Sequence, residues 1–189
     1  MEIWHKLLNR MIRAARMDAS LYEEMETEED AAGHAVMIAL LAGIATGLGV
    51  GLAGVIGGSG VIWFLWGLLS GFFASLVGWF GWVLLTYLSA TTFLRGHEKA
   101  SVVELTRTLG FANSPGLLRI LLFIPMLGWI VTILAGVWTL AAGIVAVKQT
   151  LDYATGKAAA TCLLGWLVYM AILVLVFLWL PSPYKIPAF

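Results

Sequence analysis

The sequence predicts an all-α integral membrane protein with five membrane segments, one of them short and re-entrant-like. Three observations carry that prediction. The 189 residues are 61% hydrophobic and only 12% charged, whereas a soluble domain is nearer half apolar and a quarter charged. The apolar residues fall in runs long enough to cross a hydrocarbon core of about 30 Å. Within those runs glycines recur at helical spacing, which marks close packing between membrane helices.

The N-terminal segment, residues 1–33, reads as cytosolic and helical. Trp4, Leu7, Leu8, Met11 and Ala15 share one face of a helix and Lys6, Arg10, Arg13 and Arg16 the other. That pattern suits either an anionic membrane surface or the protein's own loops. Ser20 and Glu23 stand at capping-box spacing and open a second, acidic helix running to Asp30. Its carboxylates read as a solvated face in preference to a metal site, and no metal, cofactor or nucleic-acid partner is expected. No cleavable leader is expected either, because charges run through the first thirty residues.

A single membrane domain follows, residues 34–180, with a short tail at 181–189. The first span covers 34–57 and carries Gly43, Gly47, Gly51 and Gly54 on one stripe. The second covers 61–94 and repeats the device with Gly67, Gly71, Gly78 and Gly81. The connector 57–60 is so short that the two spans form a hairpin, with glycine face expected against glycine face. The last span covers 158–180, and the single Cys162 within it reads as a buried structural thiol.

Residues 115–148 decide the segment count. Short cytoplasmic loops collect Lys and Arg. One crossing here would put Lys148 and Lys157 outside. A turn at residues 125–128, opened by Pro125, returns the chain inside and leaves only Lys185 of the eleven Lys and Arg residues outside. Two arms are therefore predicted, 115–124 and 129–147. The first has ten residues, too few to cross as an α-helix unless neighbours such as Phe111 and Ala112 extend it. Asn113 or Ser114 is expected to cap it, with Pro115 in its first turn. Arg119 is expected to reach the cytoplasmic headgroups or to pair with Glu104, which stands at capping-box spacing from Ser101.

Three blocks resemble the bacterial branch of the Yip-one family, named for interaction with Ypt/Rab GTPases. They are RMIRAARMDASLYEEMETEEDAAGHA (10–35), ELTRTLGFANSPGLLRILLFIPMLG (104–128) and GIVAVKQTLDYATGKA (143–158). With the spans between them, the resemblance covers nearly the whole chain. It implies five membrane segments, a cytosolic N-terminus and a place in the cell membrane of a prokaryote. The eukaryotic relatives are linked to Rab binding through an Asp-Leu-Tyr-Gly-Pro type motif. This chain has DASLYEE (18–24) without the Gly-Pro, so no Rab site carries over.

Three functional classes come into question. A protease is set aside: Ser59 in the Gly57–Gly60 connector fits a GxSG pattern, but His34 is 25 residues away, roughly 37 Å along a helix, and His5 and His97 are no nearer. A transporter or channel for a small solute, ion or lipid would use the broken helix around Arg119, with Arg119 and Arg107 the candidates for an anion or lipid headgroup. The first expectation is a non-enzymatic membrane scaffold. Its expected partners are membrane lipids, an unidentified cytosolic protein and a second copy of the chain through the glycine faces.

Overall fold

The computed structural model describes residues 2–28, 30–58, 60–93 and 101–179. The expectations for Glu29, Ser59, Arg95, His97, Lys99, the end of the second span, the close of the last span at residue 180 and the tail with Lys185 lie outside these residues. The described chain is helical throughout. Two short helices, α1 (Glu2–Ala15) and α2 (Ala19–Thr27), precede the hairpin of α3 (Ala31–Ile56) and α4 (Gly60–Leu88). A π turn, Ser89–Phe93, closes α4. Then come α5 (Val102–Ala112), a 3₁₀ arm (Ser114–Phe123), α6 (Leu127–Thr150) and α7 (Thr155–Trp179). By length and composition α3, α4 with its π turn, α6 and α7 can each cross a membrane, and the 3₁₀ arm is a shorter apolar element.

The bundle is packed with small residues inside and large apolar residues outside. Ala31, Ala35, Ala39, Ala42, Ala135, Ala142 and Ala146 are buried, while Val61, Ile62, Leu65, Leu69, Phe73 and Val77 of α4 are exposed at helical spacing. Water would oppose such a surface, and a hydrocarbon phase does not.

Glycine decides how closely the hairpin closes. A Cβ on Gly67 would lie 2.8 Å from Gly51 Cα, and one on Gly71 would lie 2.9 Å from Gly47 Cα. The two backbones are therefore in direct contact, which no other residue permits. Glycine meets glycine across the hairpin at these two positions. Gly78 instead meets the Tyr169 ring of α7, and Gly81 has only Ile172 Cδ1 of α7 nearby, at 3.9 Å. The stripe is continuous in sequence, but at Gly78 and Gly81 it receives α7 instead of the α3 glycines.

The 3₁₀ arm runs parallel to α3. Gly110 meets Ala35, Gly116 meets Ala42, and Gly49 meets the carbonyls of Arg119 and Ile120. From Ala42 to Gly49 is seven residues of α3, about 10 Å at 1.5 Å each. The matching stretch of the arm, Gly116 to Ile120, is four residues, which rise about 8 Å wound as 3₁₀ against about 6 Å as α-helix. The tighter winding thus lets a short arm keep pace with its neighbour. Pro115 stands in its first turn as expected, but neither expected cap operates. Ser114 donates to the Phe111 carbonyl at 2.6 Å, and the Asn113 side chain caps nothing. The turn at Pro125 to Gly128 uses Met126 at φ 62°, and α6 then returns antiparallel.

Candidate functional site

Two regions bring chemistry together: a polar centre inside the bundle and an ion-paired platform formed by α1 and α2 against α5, the 3₁₀ arm and α6.

At the centre, Arg119 is fully buried. Its Nη1 donates to Tyr169 Oη, and its Cζ stands 5.2 Å from the Tyr169 ring centroid. That ring stacks on Trp82 with centroids 6.2 Å apart, and Trp82 Nε1 donates to the Cys162 carbonyl at 3.1 Å. A chain of aromatic contacts therefore runs from α4 through α7 to the guanidinium. Among the described residues Arg119 Nε and Nη2 have no hydrogen-bond partner, and neither has the amide of Asn113, which is also fully buried. A Cβ on Gly116 would lie 3.0 Å from Asn113 Oδ1, 3.2 Å from Arg119 Nη1 and 3.4 Å from Ala42 Cβ.

This placement corrects the expectation that Arg119 reaches the headgroups or pairs with Glu104. Its Nη1 lies at the level of Ala42, eleven residues along α3 and about 16 Å from Ala31. Glu104 is engaged elsewhere. It accepts from the Ser101 backbone at 3.2 Å while Ser101 Oγ accepts from the Glu104 backbone at 3.1 Å, the reciprocal capping box at the start of α5. Arg107 is half-buried on α5, three residues before Gly110 and apart from the Arg119 centre.

The hydroxyls of the spans divide into two groups. Thr46 and Thr132 donate to the carbonyls four residues earlier, each at 2.8 Å, as polar residues in membrane helices commonly do. Ser75, Thr86 and Thr139 have no such bond. Tyr169 is the partner of Arg119 that sequence reasoning missed. Its signal was position: a tyrosine in mid-span, away from the interfaces where aromatic residues gather.

At the platform, α1 and α2 pack into the core through Leu7, Ala14, Leu21, Tyr22 and Met25. Ion pairs bind them to each other. Arg13 engages Glu24 through two nitrogens at 2.8 Å and Asp18 at 2.7 Å. Glu28 accepts from Lys6 at 2.6 Å and from Arg10, and Arg10 also donates to His34 Nδ1 at 3.0 Å at the start of α3. The Arg10 and Lys6 hydrogen bonds hold the Glu28 carboxyl down to about 2. Arg13 lowers Asp18 and Glu24 in the same way, and burial raises the Tyr22 hydroxyl. Further bonds tie the platform to α6: Trp138 Nε1 donates to the Ala15 carbonyl at 2.7 Å, and Gln149 donates to Glu23 at 2.9 Å. The cap of α2 differs from expectation. Asp18, not Ser20, is the N-cap, and its side chain accepts from the Ser20 backbone at 3.1 Å. Outside, Trp4, Leu8 and Ile12 stay exposed as one stripe of α1.

A family model described as Yip1 domain matches residues 18–178. No curated protein and no solved structure matches the chain. The match spans α2 to α7, so it takes in the glycine hairpin, the 3₁₀ arm and the Arg119 centre together. The chain belongs to the Yip1 domain family.

Proposed function

We propose that the protein is a non-catalytic membrane scaffold or adaptor whose cytoplasmic docking surface is built from α1, α2 and α5. In this reading the segments at 34–57, 61–94, 115–124, 129–147 and 158–180 all pass through the membrane, with the N-terminus inside. The observation that carries it is the platform. Residues 2–28 are not a loose tether but two helices buried against the bundle and cross-braced by Arg10 and Arg13. Such bracing presents a fixed surface, and a fixed surface lowers the ordering cost of binding a partner. Membership in the family agrees with an adaptor. The carrier reading would need a path along the bundle, and the contact of α3 with α4 through Gly47, Gly51, Gly67 and Gly71 leaves none between those helices.

The test places a photo-crosslinking residue at exposed Ser20 and, as control, at lipid-facing Ile133, in native membranes. The reading expects one discrete protein adduct at residue 20, none at 133, and loss of the adduct when Arg13→Glu uncouples α1 from α2. Proteoliposomes of the pure protein should conduct no more chloride than empty ones. Chloride flux that Arg119→Met abolishes, with no adduct at residue 20, would overturn the scaffold in favour of the carrier.

A further inference from the structure

The guanidinium of Arg119 carries a full positive charge, and among the described residues the protein supplies nothing to balance it. The helices around it, α3, α4, α6 and α7, contain no Asp or Glu within Ala31–Ile56, Gly60–Leu88, Leu127–Thr150 or Thr155–Trp179. Glu104 of α5 is held in its capping box, and Asp18, Glu24 and Glu28 of the platform are held by Lys6, Arg10 and Arg13. A buried charge without a partner is among the costliest arrangements a fold can contain. Tyr169 offers a hydroxyl dipole and a ring face, which moderate the charge and do not cancel it.

We propose that Arg119 and Asn113 bind a small inorganic anion of chloride size, which completes the interior of the bundle. The donors are present and unspent: Arg119 Nε and Nη2 and Asn113 Nδ2 are all buried with no protein partner among the described residues. The distances from the Gly116 Cβ position set the Asn113 amide and the Arg119 guanidinium around one space, with Oδ1 and Nη1 no more than about 6 Å apart. An ion there accepts from Asn113 Nδ2 and Arg119 Nη2 at about 3 Å each, while Oδ1, an acceptor, and Nη1, already engaged by Tyr169, take no part. Glycine at 116 keeps the space between the two side chains open, because a larger residue would press on both. Size and class follow from closure. Arg119 and Asn113 both have zero exposure, so a phospholipid headgroup, which must keep its acyl chains outside, has no way through. The ion is a structural ligand: it joins α5, the 3₁₀ arm and, through Tyr169, α7.

Equilibrium dialysis of ³⁶Cl⁻ against the full-length protein in phosphatidylcholine nanodiscs, with gluconate as the balancing anion, tests this. Saturable binding of about one ion per chain is expected. Asn113→Leu and Gly116→Ala should each weaken it about tenfold or more, Arg119→Met should abolish it, and Arg119→Lys should retain part. Because Arg119→Met can fail to fold, the deciding variant is Asn113→Leu, with helicity checked by circular dichroism. Absence of saturable binding, or binding unchanged in Asn113→Leu, overturns the site. Nanodiscs containing phosphatidylglycerol distinguish the other source of an anion. Loss of chloride binding there, with binding retained in phosphatidylcholine alone, would assign the site to an anionic headgroup and refute the free ion.

Discussion

Replacing Gly67 by alanine puts one methyl group into the tightest part of the hairpin. Its carbon would stand 2.8 Å from Gly51 Cα, 2.8 Å from Gly51 N and 3.0 Å from Val50 C. All three are backbone atoms, so no side chain can rotate away. Ordinary contact needs another 0.5 Å or so, and α3 and α4 must separate by about that much along their shared length. Forced overpacking of this kind costs about 1–3 kcal/mol. The helix preference of alanine over glycine returns about 0.5–1 kcal/mol, leaving a net loss between about 0 and 2.5 kcal/mol and Gly67→Ala less stable than Gly81→Ala by about 1–3 kcal/mol. Gly81→Ala is the control. It lies on the same sequence stripe, yet its new carbon meets only Ile172 Cδ1 at 3.9 Å, so the alanine preference should act unopposed. Reversible unfolding in mixed micelles, followed by tryptophan fluorescence, gives both values. Equal effects at the two positions, or a Gly67→Ala more stable than Gly81→Ala, would refute backbone contact as the origin of the stripe.

Tyr169→Phe removes the acceptor for Arg119 Nη1 while keeping the ring, and should cost about 1.5–3 kcal/mol, the worth of a hydrogen bond to a charged group, in the same unfolding assay. Ser101→Ala removes half of the capping box and should cost about 1 kcal/mol, with faster amide exchange confined to the first turn of α5. The carboxyl of Glu28 sits at about 2, below its ordinary 4.5, so its contribution is complete above about 4.5 and is lost as pH falls toward 2. Asp18 and Glu24 are lowered with the same sign. Exchange protection of α2, corrected for intrinsic rates, should therefore fall across that acid window. Glu28→Gln should show reduced protection at neutral pH and a weaker acid dependence.

Local signals were legible in the sequence where the partner is a near neighbour in the chain. The spacing of Ser101 and Glu104 encodes the capping box because both bonds close within one helical turn. The same rule failed at Ser20: Asp18, two residues earlier, offers a carboxylate that also meets Arg13, and that second bond favours it as the cap. The glycine stripes were visible as periodicity, but periodicity does not say which helix arrives. Gly78 faces Tyr169 because α7 folds back to bring a residue 91 positions further on against it. Arg119 shows the limit most clearly. Ten residues counted as α-helix place it one turn from the interface, whereas the same residues wound as 3₁₀ and started from α5 carry it to mid-depth beside Ala42. The choice between the two windings follows from packing on Gly49, which no local propensity reports.

In the proposed topology the arm ending at Phe123 carries the chain to the far side of the membrane and α6 brings it back. Membrane-impermeant thiol labelling decides it, because Cys162 is buried and supplies no competing site. Single cysteines at exposed Ser20, Met126 and Asp152 are labelled in sealed vesicles of known orientation. A full crossing predicts that positions 20 and 152 react only from the cytoplasmic side and position 126 only from the opposite side. Labelling of 126 from the same side as 20 would contradict it, since the arm would then enter the membrane and return without crossing.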